Sequence, residues 1–155
     1  MKRTFRPWFV VGCCALLLTG CRDPESGVHD QIRQDAGEMA VAAADYIHRE
    51  GLMNHQAFEA HLRTAPEQTV RSYRSFRWEG DVLYALVSFS SNIQKTEAEG
   101  AGRYSAASCA HFRADSRTVS LMPAICPADI PLAYSSDNPN IYQLPEITQK
   151  VQSRW

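Results

Sequence analysis

Cys109 and His111 are the two residues of this 155-residue sequence whose types and spacing best suit a reaction. Residues two apart on a β-strand share a face, so His111 could activate the Cys109 thiol as a nucleophile. Alternatively, Cys109 could form a disulfide with Cys126. Two interpretations of Cys109 therefore have to be weighed, a catalytic one and a structural one.

Three further histidines, His48, His55 and His61, fall on or beside two predicted helices. No pair of them has the i, i+4 spacing of a helical zinc site, so we expect surface or capping roles. The sequence contains no Gly-x-Ser-x-Gly elbow, and Gly100-Ala101-Gly102 precedes a strand, where it would not cradle a phosphate. We therefore predict no catalytic residue, no metal site and no cofactor.

Three arginines, Arg71, Arg74 and Arg77, resemble an anion-binding patch. On a regular strand Arg71 and Arg77 would share one face and Arg74 would lie on the other. This alternation favours a solvated edge strand, where charges also discourage aggregation. Glu79 and Asp81 flank a predicted hairpin tip, where we expect both carboxylates to be solvated.

Composition limits the classes of protein that the chain could belong to. Hydrophobic residues make up 45% and charged residues 21%, which is typical of a globular domain. The formal net charge of −1 argues against a nucleic-acid binder that relies on phosphate contacts. No apolar run approaches the roughly 20 residues of a membrane-spanning helix.

The N-terminus has the parts of an export signal. Lys2, Arg3 and Arg6 precede an uncharged, largely apolar run from Trp8 to Leu18. The run closes as Leu18-Thr19-Gly20-Cys21, which resembles the lipobox of bacterial lipoprotein signal peptides. That resemblance covers residues 1–21 only. It implies that residues 1–20 are cleaved and that Cys21 carries diacylglycerol. Two other cysteines are weaker candidates for the lipid: Cys13 follows a glycine but leaves only Trp8 to Val11 as the apolar segment, and Cys14 follows Cys13, a poor cleavage position. A further alternative is an ordinary secreted protein with a cysteine at position 21.

Lipidation would place the mature chain on the outer face of the cell membrane, or in the outer membrane of a Gram-negative source. The mature chain keeps 13 of the 16 basic and all 17 acidic residues, so its side chains carry a charge of −4. Export also exposes Cys109 and Cys126 to an oxidising compartment, where a disulfide is expected. The thiol nucleophile is the less favoured alternative.

The mature sequence begins with a polar tether, residues 21–26, and continues with an Ala-rich helical pattern to Glu50. Its apolar positions recur at spacings of three and four, which is the period of a helix that packs on a flat surface. They are Val28, Ile32, Ala36, Met39, Ala43 and Ile47. Asn54 caps a predicted second helix that ends at Arg63, before Pro66.

From Val70 onward the sequence predicts four strands: Val70–Trp78, Val82–Ile93, Arg103–Arg113 and Arg117–Met122. A two-residue turn at Asp115-Ser116 would place Phe112 opposite Val119 and Ala110 opposite Leu121. Cys109 and His111 would then point away from the helices, and Pro123 would end the fourth strand. The fold class is therefore α+β, with the two helices packed on a four-stranded antiparallel meander.

We expect residues 27–126 to form a single domain, followed by an irregular Pro-rich tail, residues 127–155. Pro145 could open a short terminal helix in this tail, because proline suits the first position of a helix. Apolar residues of the tail, such as Tyr142 and Leu144, predict that it docks on the domain.

The leading hypothesis is a lipid-anchored, non-enzymatic domain that binds an envelope protein or a cell-wall ligand. One alternative is a small-ligand pocket or enzyme of the cystatin-like or nuclear-transport-factor-like type, with an apolar cavity lined by Tyr84, Phe89 and Phe112. The other is an inhibitor or immunity lipoprotein that uses the loop 94–102 or the Pro-rich tail. Apart from the membrane, the sequence predicts no particular partner and no nucleic acid.

Overall fold

A long helix lies across one face of an antiparallel sheet in the computed structural model, which describes residues 24–64, 69–95, 102–128 and 140–153. The predicted signal peptide, the lipid site at Cys21 and residues 96–101 of the loop lie outside the described residues. The helices are α1 (Pro24–Glu50) and α2 (His55–Leu62). Helix α1 therefore begins inside the stretch predicted as a tether.

The sheet has the strand order β1-β2-β3-β4-β6, and β5 pairs with β3 off this path. The strands are β1 (Thr69–Glu79), β2 (Val82–Lys95), β3 (Gly102–Ala114), β4 (Thr118–Ala124), β5 (Asn140–Ile141) and β6 (Ile147–Lys150). Strands β1 to β4 form the predicted meander, so the α+β class with two helices on an antiparallel sheet is confirmed.

Small residues let α1 pack closely on the sheet. The six apolar positions predicted from the helical spacing are all buried, and two of them, Ala36 and Ala43, are alanine. They meet the inner face of the sheet, where Phe89, Phe112 and Leu121 are the largest contributors. None of the helices in the described ranges is long and apolar enough to cross a membrane.

The end of α1, the start of α2 and the first hairpin all follow local sequence signals. Gly51 has φ +74° and its amide donates to the Ile47 carbonyl at 2.9 Å, which closes α1. Asn54 caps α2, because its side-chain oxygen accepts from the Ala57 amide at 3.0 Å. Gly80 takes φ +59° between β1 and β2, as the hairpin turn requires.

A β-bulge in β1 corrects the predicted arrangement of the three arginines. Ser75 and Phe76 together face Ala85, and Ser75 adopts φ +56°. The extra residue reverses the alternation beyond it. Arg74 and Arg77 therefore share the outer face, while Arg71 alone points toward α1.

The β3–β4 hairpin also differs in register from the prediction. Phe112 pairs with Leu121 and Ala114 with Val119, a shift of two residues from the predicted pairs. The cause is Asp115, whose Oδ1 accepts from the amides of Arg117 and Thr118, each at 2.8 Å, and so moves the turn one residue along the chain. A shift of two leaves every face unchanged, so the predicted inner residues are buried.

Two predictions about the C-terminal part were wrong. The described residues after Pro145 form no helix; instead Ile147–Lys150 is strand β6, antiparallel to β4. The free edge of β4 needs hydrogen-bond partners, which an alternating half-buried segment supplies better than a helix. Pro123 does not end β4 either. It lies beyond the Thr118–Leu121 stretch that β6 pairs, on a free edge that tolerates proline.

Candidate functional site

The outer face of β3 holds the first pair of residues considered for chemistry. The sulfur atoms of Cys109 and Cys126 lie 2.04 Å apart, and their Cα atoms are separated by 5.1 Å. Cys109 is buried, whereas His111 is exposed on the same face. A sulfur at bonding distance from another sulfur offers His111 no thiol to activate, so the geometry favours the structural interpretation of Cys109.

The histidines of the two helices make separate contacts. The ring of His48 donates from Nδ1 to the Gln152 carbonyl at 2.8 Å, because a carbonyl can only accept. His61 donates from Nε2 to the Ala42 carbonyl at 3.2 Å, and His55 stacks on Trp78 with ring centroids 3.6 Å apart. Each ring therefore joins two elements of the fold, and the three do not converge.

The apolar cavity predicted from Tyr84, Phe89 and Phe112 is not formed by these residues. Phe89 and Phe112 are fully buried in the core beneath α1. Tyr84 lies on the opposite face of the sheet, where the guanidinium of Arg77 is 5.3 Å from its ring centroid. These three side chains therefore do not line a common cavity.

A buried ion pair, which we did not predict, joins α1 to β1. Arg71 Nε donates to the two carboxylate oxygens of Asp35 at 3.0 and 2.9 Å, and Nη2 donates to Oδ1. The side chains are only 6% and 3% exposed. Although burial opposes the charged form, Asp35 raises the pKa of Arg71 above its usual value. The sequence did contain a signal for this ion pair. Asp35 lies on the apolar stripe of α1, three residues after Ile32, where a carboxylate would be buried and would need a partner.

A cavity of about 220 Å³ adjoins this ion pair between α1 and α2. Its polar groups already have partners inside the protein. The Arg71 guanidinium binds Asp35 and also donates from Nη1 to the Thr64 carbonyl at 3.2 Å. The His61 ring contacts the Ala42 carbonyl. A ligand here would have to break contacts that hold the helices together, which makes this cavity the weaker candidate.

The second cavity, here called the N-terminal pocket, has a volume of about 240 Å³. It lies where the start of α1, the first residues of β3 and the start of β5 meet. Its lining is Glu25, Val28, His29, Arg103, Tyr104, Ser105, Ala106 and Asn140. Sequence reasoning missed this pocket, because its three segments are far apart along the chain and none of them carries a motif.

His29 lines the pocket and has one ring nitrogen without a partner. Its ring stacks on Tyr142, with centroids 4.3 Å apart and planes inclined by 14°. The Nε2 atom is buried and has no hydrogen-bond partner among the described residues. Because this atom is buried, other atoms of His29 face the pocket.

Charges of both signs reach the N-terminal pocket. The Glu25 carboxylate accepts from the side-chain amide of Asn140, which ties β5 to the start of α1. Arg103 is exposed and forms no ion pair with another residue in the described part of the chain. The residues that line the pocket therefore include one that carries a guanidinium, one that carries a carboxylate and one that carries an imidazole.

No protein-family model, curated protein or solved structure matches this chain. Within residues 24–64, 69–95, 102–128 and 140–153, no group of three or more His, Cys, Asp or Glu side chains could hold a metal ion.

Proposed function

We propose that this chain is a bacterial envelope lipoprotein, anchored through lipid on Cys21, whose α+β domain binds a ligand without catalysing a reaction. The observation that carries the binding role is the N-terminal pocket, whose lining includes Glu25, Arg103 and His29. The Nε2 atom of His29 has no hydroxyl or thiol within hydrogen-bond distance in the described residues, so it has no nucleophile to activate there.

The anchor rests on the sequence Leu18-Thr19-Gly20-Cys21 and on the charged, apolar segment that precedes it. Helix α1 begins at Pro24, so a domain that starts three residues after the lipidated cysteine would be held close to the bilayer. The location that follows is the outer face of the cell membrane, or the outer membrane in a Gram-negative source.

Substitution of Cys21 tests the anchor. The parent chain, expressed in a bacterium that processes lipoproteins, should partition into the detergent phase and have the mass of residues 21–155 plus acyl groups. Cys21→Ser should remove the acylated mass and move the protein to the aqueous phase, while Cys14→Ser should leave both properties unchanged. An unmodified parent chain, or one that begins at another residue, would contradict the proposal.

A further inference from the structure

The charged groups of the N-terminal pocket suit a ligand that carries both a negative and a positive charge. Arg103 can donate two parallel hydrogen bonds to one phosphate or carboxylate group. The Glu25 carboxylate offers up to four acceptor positions, so it can accept from an ammonium group as well as from Asn140. The ring of His29, stacked on Tyr142, belongs to a residue that lines the same pocket.

The volume of the pocket restricts the size of that ligand. At about 30 Å³ per water molecule, 240 Å³ corresponds to roughly eight waters. Pockets for drug-sized ligands run from about 300 to 1,000 Å³, so this pocket suits a smaller group. A phosphate joined to a short aminoalkyl chain has the required size and both charges.

The position of the pocket indicates where such a group would come from. Glu25 is four residues after Cys21, and a fully extended chain of that length spans at most about 14 Å. On the proposed lipidation of Cys21, the pocket is therefore held within reach of the phospholipid headgroups around the anchor.

We propose that the N-terminal pocket binds the phosphoethanolamine group of a phospholipid in the leaflet that carries the Cys21 anchor. Arg103 binds the phosphate oxygens, and Glu25 accepts hydrogen bonds from the ammonium group. This inference rests on the proposed function for its lipid source. It adds a second, headgroup-specific contact to the one that the acyl chains make.

The test uses the lipidated full-length product in nanodiscs of phosphatidylcholine to which phosphatidylethanolamine or phosphatidylglycerol is added stepwise. The NMR signals of the His29 ring, assigned with His29→Gln, report on the pocket. Phosphatidylethanolamine should shift them saturably. Phosphatidylcholine lacks ammonium N–H donors, so this background lipid should not occupy the pocket. Phosphatidylglycerol lacks the positive charge, so it should need at least about tenfold more lipid than phosphatidylethanolamine for the same shift.

Matched variants separate the pocket from the general surface charge. Arg103→Gln and Glu25→Gln should each raise the half-saturating fraction of phosphatidylethanolamine about tenfold or more. Arg117→Gln and Glu50→Gln remove the same charges from exposed positions away from the pocket, and each should change that fraction less than twofold. Equal responses to phosphatidylethanolamine and phosphatidylglycerol, or equal effects of the pocket and control variants, would overturn the proposal.

A soluble arm distinguishes the lipid from a free compound. Glycerophosphoethanolamine is added to the protein in nanodiscs of phosphatidylcholine alone. Saturation by this compound without any response to phosphatidylethanolamine would overturn the lipid source. Failure of the anchor and failure of the pocket give different results. An unlipidated chain would not enter nanodiscs of any composition. A lipidated chain whose pocket does not bind the headgroup would enter all of them.

Discussion

Replacing Asp35 by asparagine tests whether the buried ion pair fixes α1 on the sheet. The substitution keeps the size of the side chain and removes its charge. The Arg71 guanidinium, whose pKa is raised by Asp35 in spite of its burial, would then remain protonated and buried without a counter-ion. Its Nε and Nη2 donors, which now bind the carboxylate, would share one amide oxygen.

The magnitude follows from the burial of the pair. Breaking a buried ion pair by neutralising one partner costs about 3–5 kcal/mol. A domain of this size is stable by about 5–15 kcal/mol, so the loss would remove a large share of the free energy of unfolding. With a urea dependence of about 2 kcal/mol per molar, the unfolding midpoint should fall by about 1.5–2.5 M.

The assay is equilibrium urea unfolding, followed by far-ultraviolet circular dichroism, of an exported chain that begins at residue 22. Glu79→Gln is the matched control, because Glu79 pairs with Arg77 at 3.2 Å with side chains 55% and 67% exposed. Exposed pairs of this kind contribute about 1 kcal/mol or less. The double variant Asp35→Leu with Arg71→Met removes both charges and should recover most of the loss.

Two results would refute this reasoning. If Asp35→Asn lowers the free energy of unfolding no more than Glu79→Gln does, the carboxylate makes no net contribution to the fold. If the double variant is as unstable as Asp35→Asn, the loss comes from packing around α1 and not from an uncompensated charge.

Three further predictions use the same unfolding assay. Asn54→Ala should cost about 1 kcal/mol because α2 loses its cap, while Asn54→Asp should cost much less; equal losses would contradict the cap. Partial burial opposes ionisation of Asp115, but the amides of Arg117 and Thr118 lower its pKa. Asp115→Asn should therefore be less stable than the parent at pH 7, with a difference that disappears as the pH falls through this lowered pKa, and a pH-independent difference would contradict it. Replacing both Cys109 and Cys126 by serine should cost about 3 kcal/mol, and the unreduced parent should show neither as an alkylatable thiol.

Local signals in the sequence were enough to predict the helices and the meander. The 3.6-residue period and the small side chains of α1 defined both its buried face and its close packing. Gly51, Asn54 and Gly80 marked the ends of elements because each supplies a backbone conformation or a cap that the local structure needs. These signals depend on neighbours in the sequence, so they do not require knowledge of the tertiary structure.

The errors arose where tertiary pairing decided the outcome. Pro145 suits the start of a helix, but the residues after Pro145 pair with the free edge of β4 and form a strand. Ser75 gave no sign of a bulge, since a positive φ is uncommon for residues other than glycine. The bulge changed the role of the arginines, because only Arg71 then reached the carboxylate on α1.

The N-terminal pocket shows why the candidate site was beyond the reach of sequence patterns. Glu25 and Asn140 bind each other across 115 residues, and Arg103 reaches the same place from the start of β3. No spacing rule links three segments that meet only because β5 adds to the edge of β3 beyond the end of β4. The placement of β5 thus gives the pocket its wall, and the chain position of Glu25 places that wall beside the proposed anchor. Together they support the proposed contact with a phospholipid headgroup, since the pocket alone would be only a small polar cavity and the proposed anchor alone only a lipid tail.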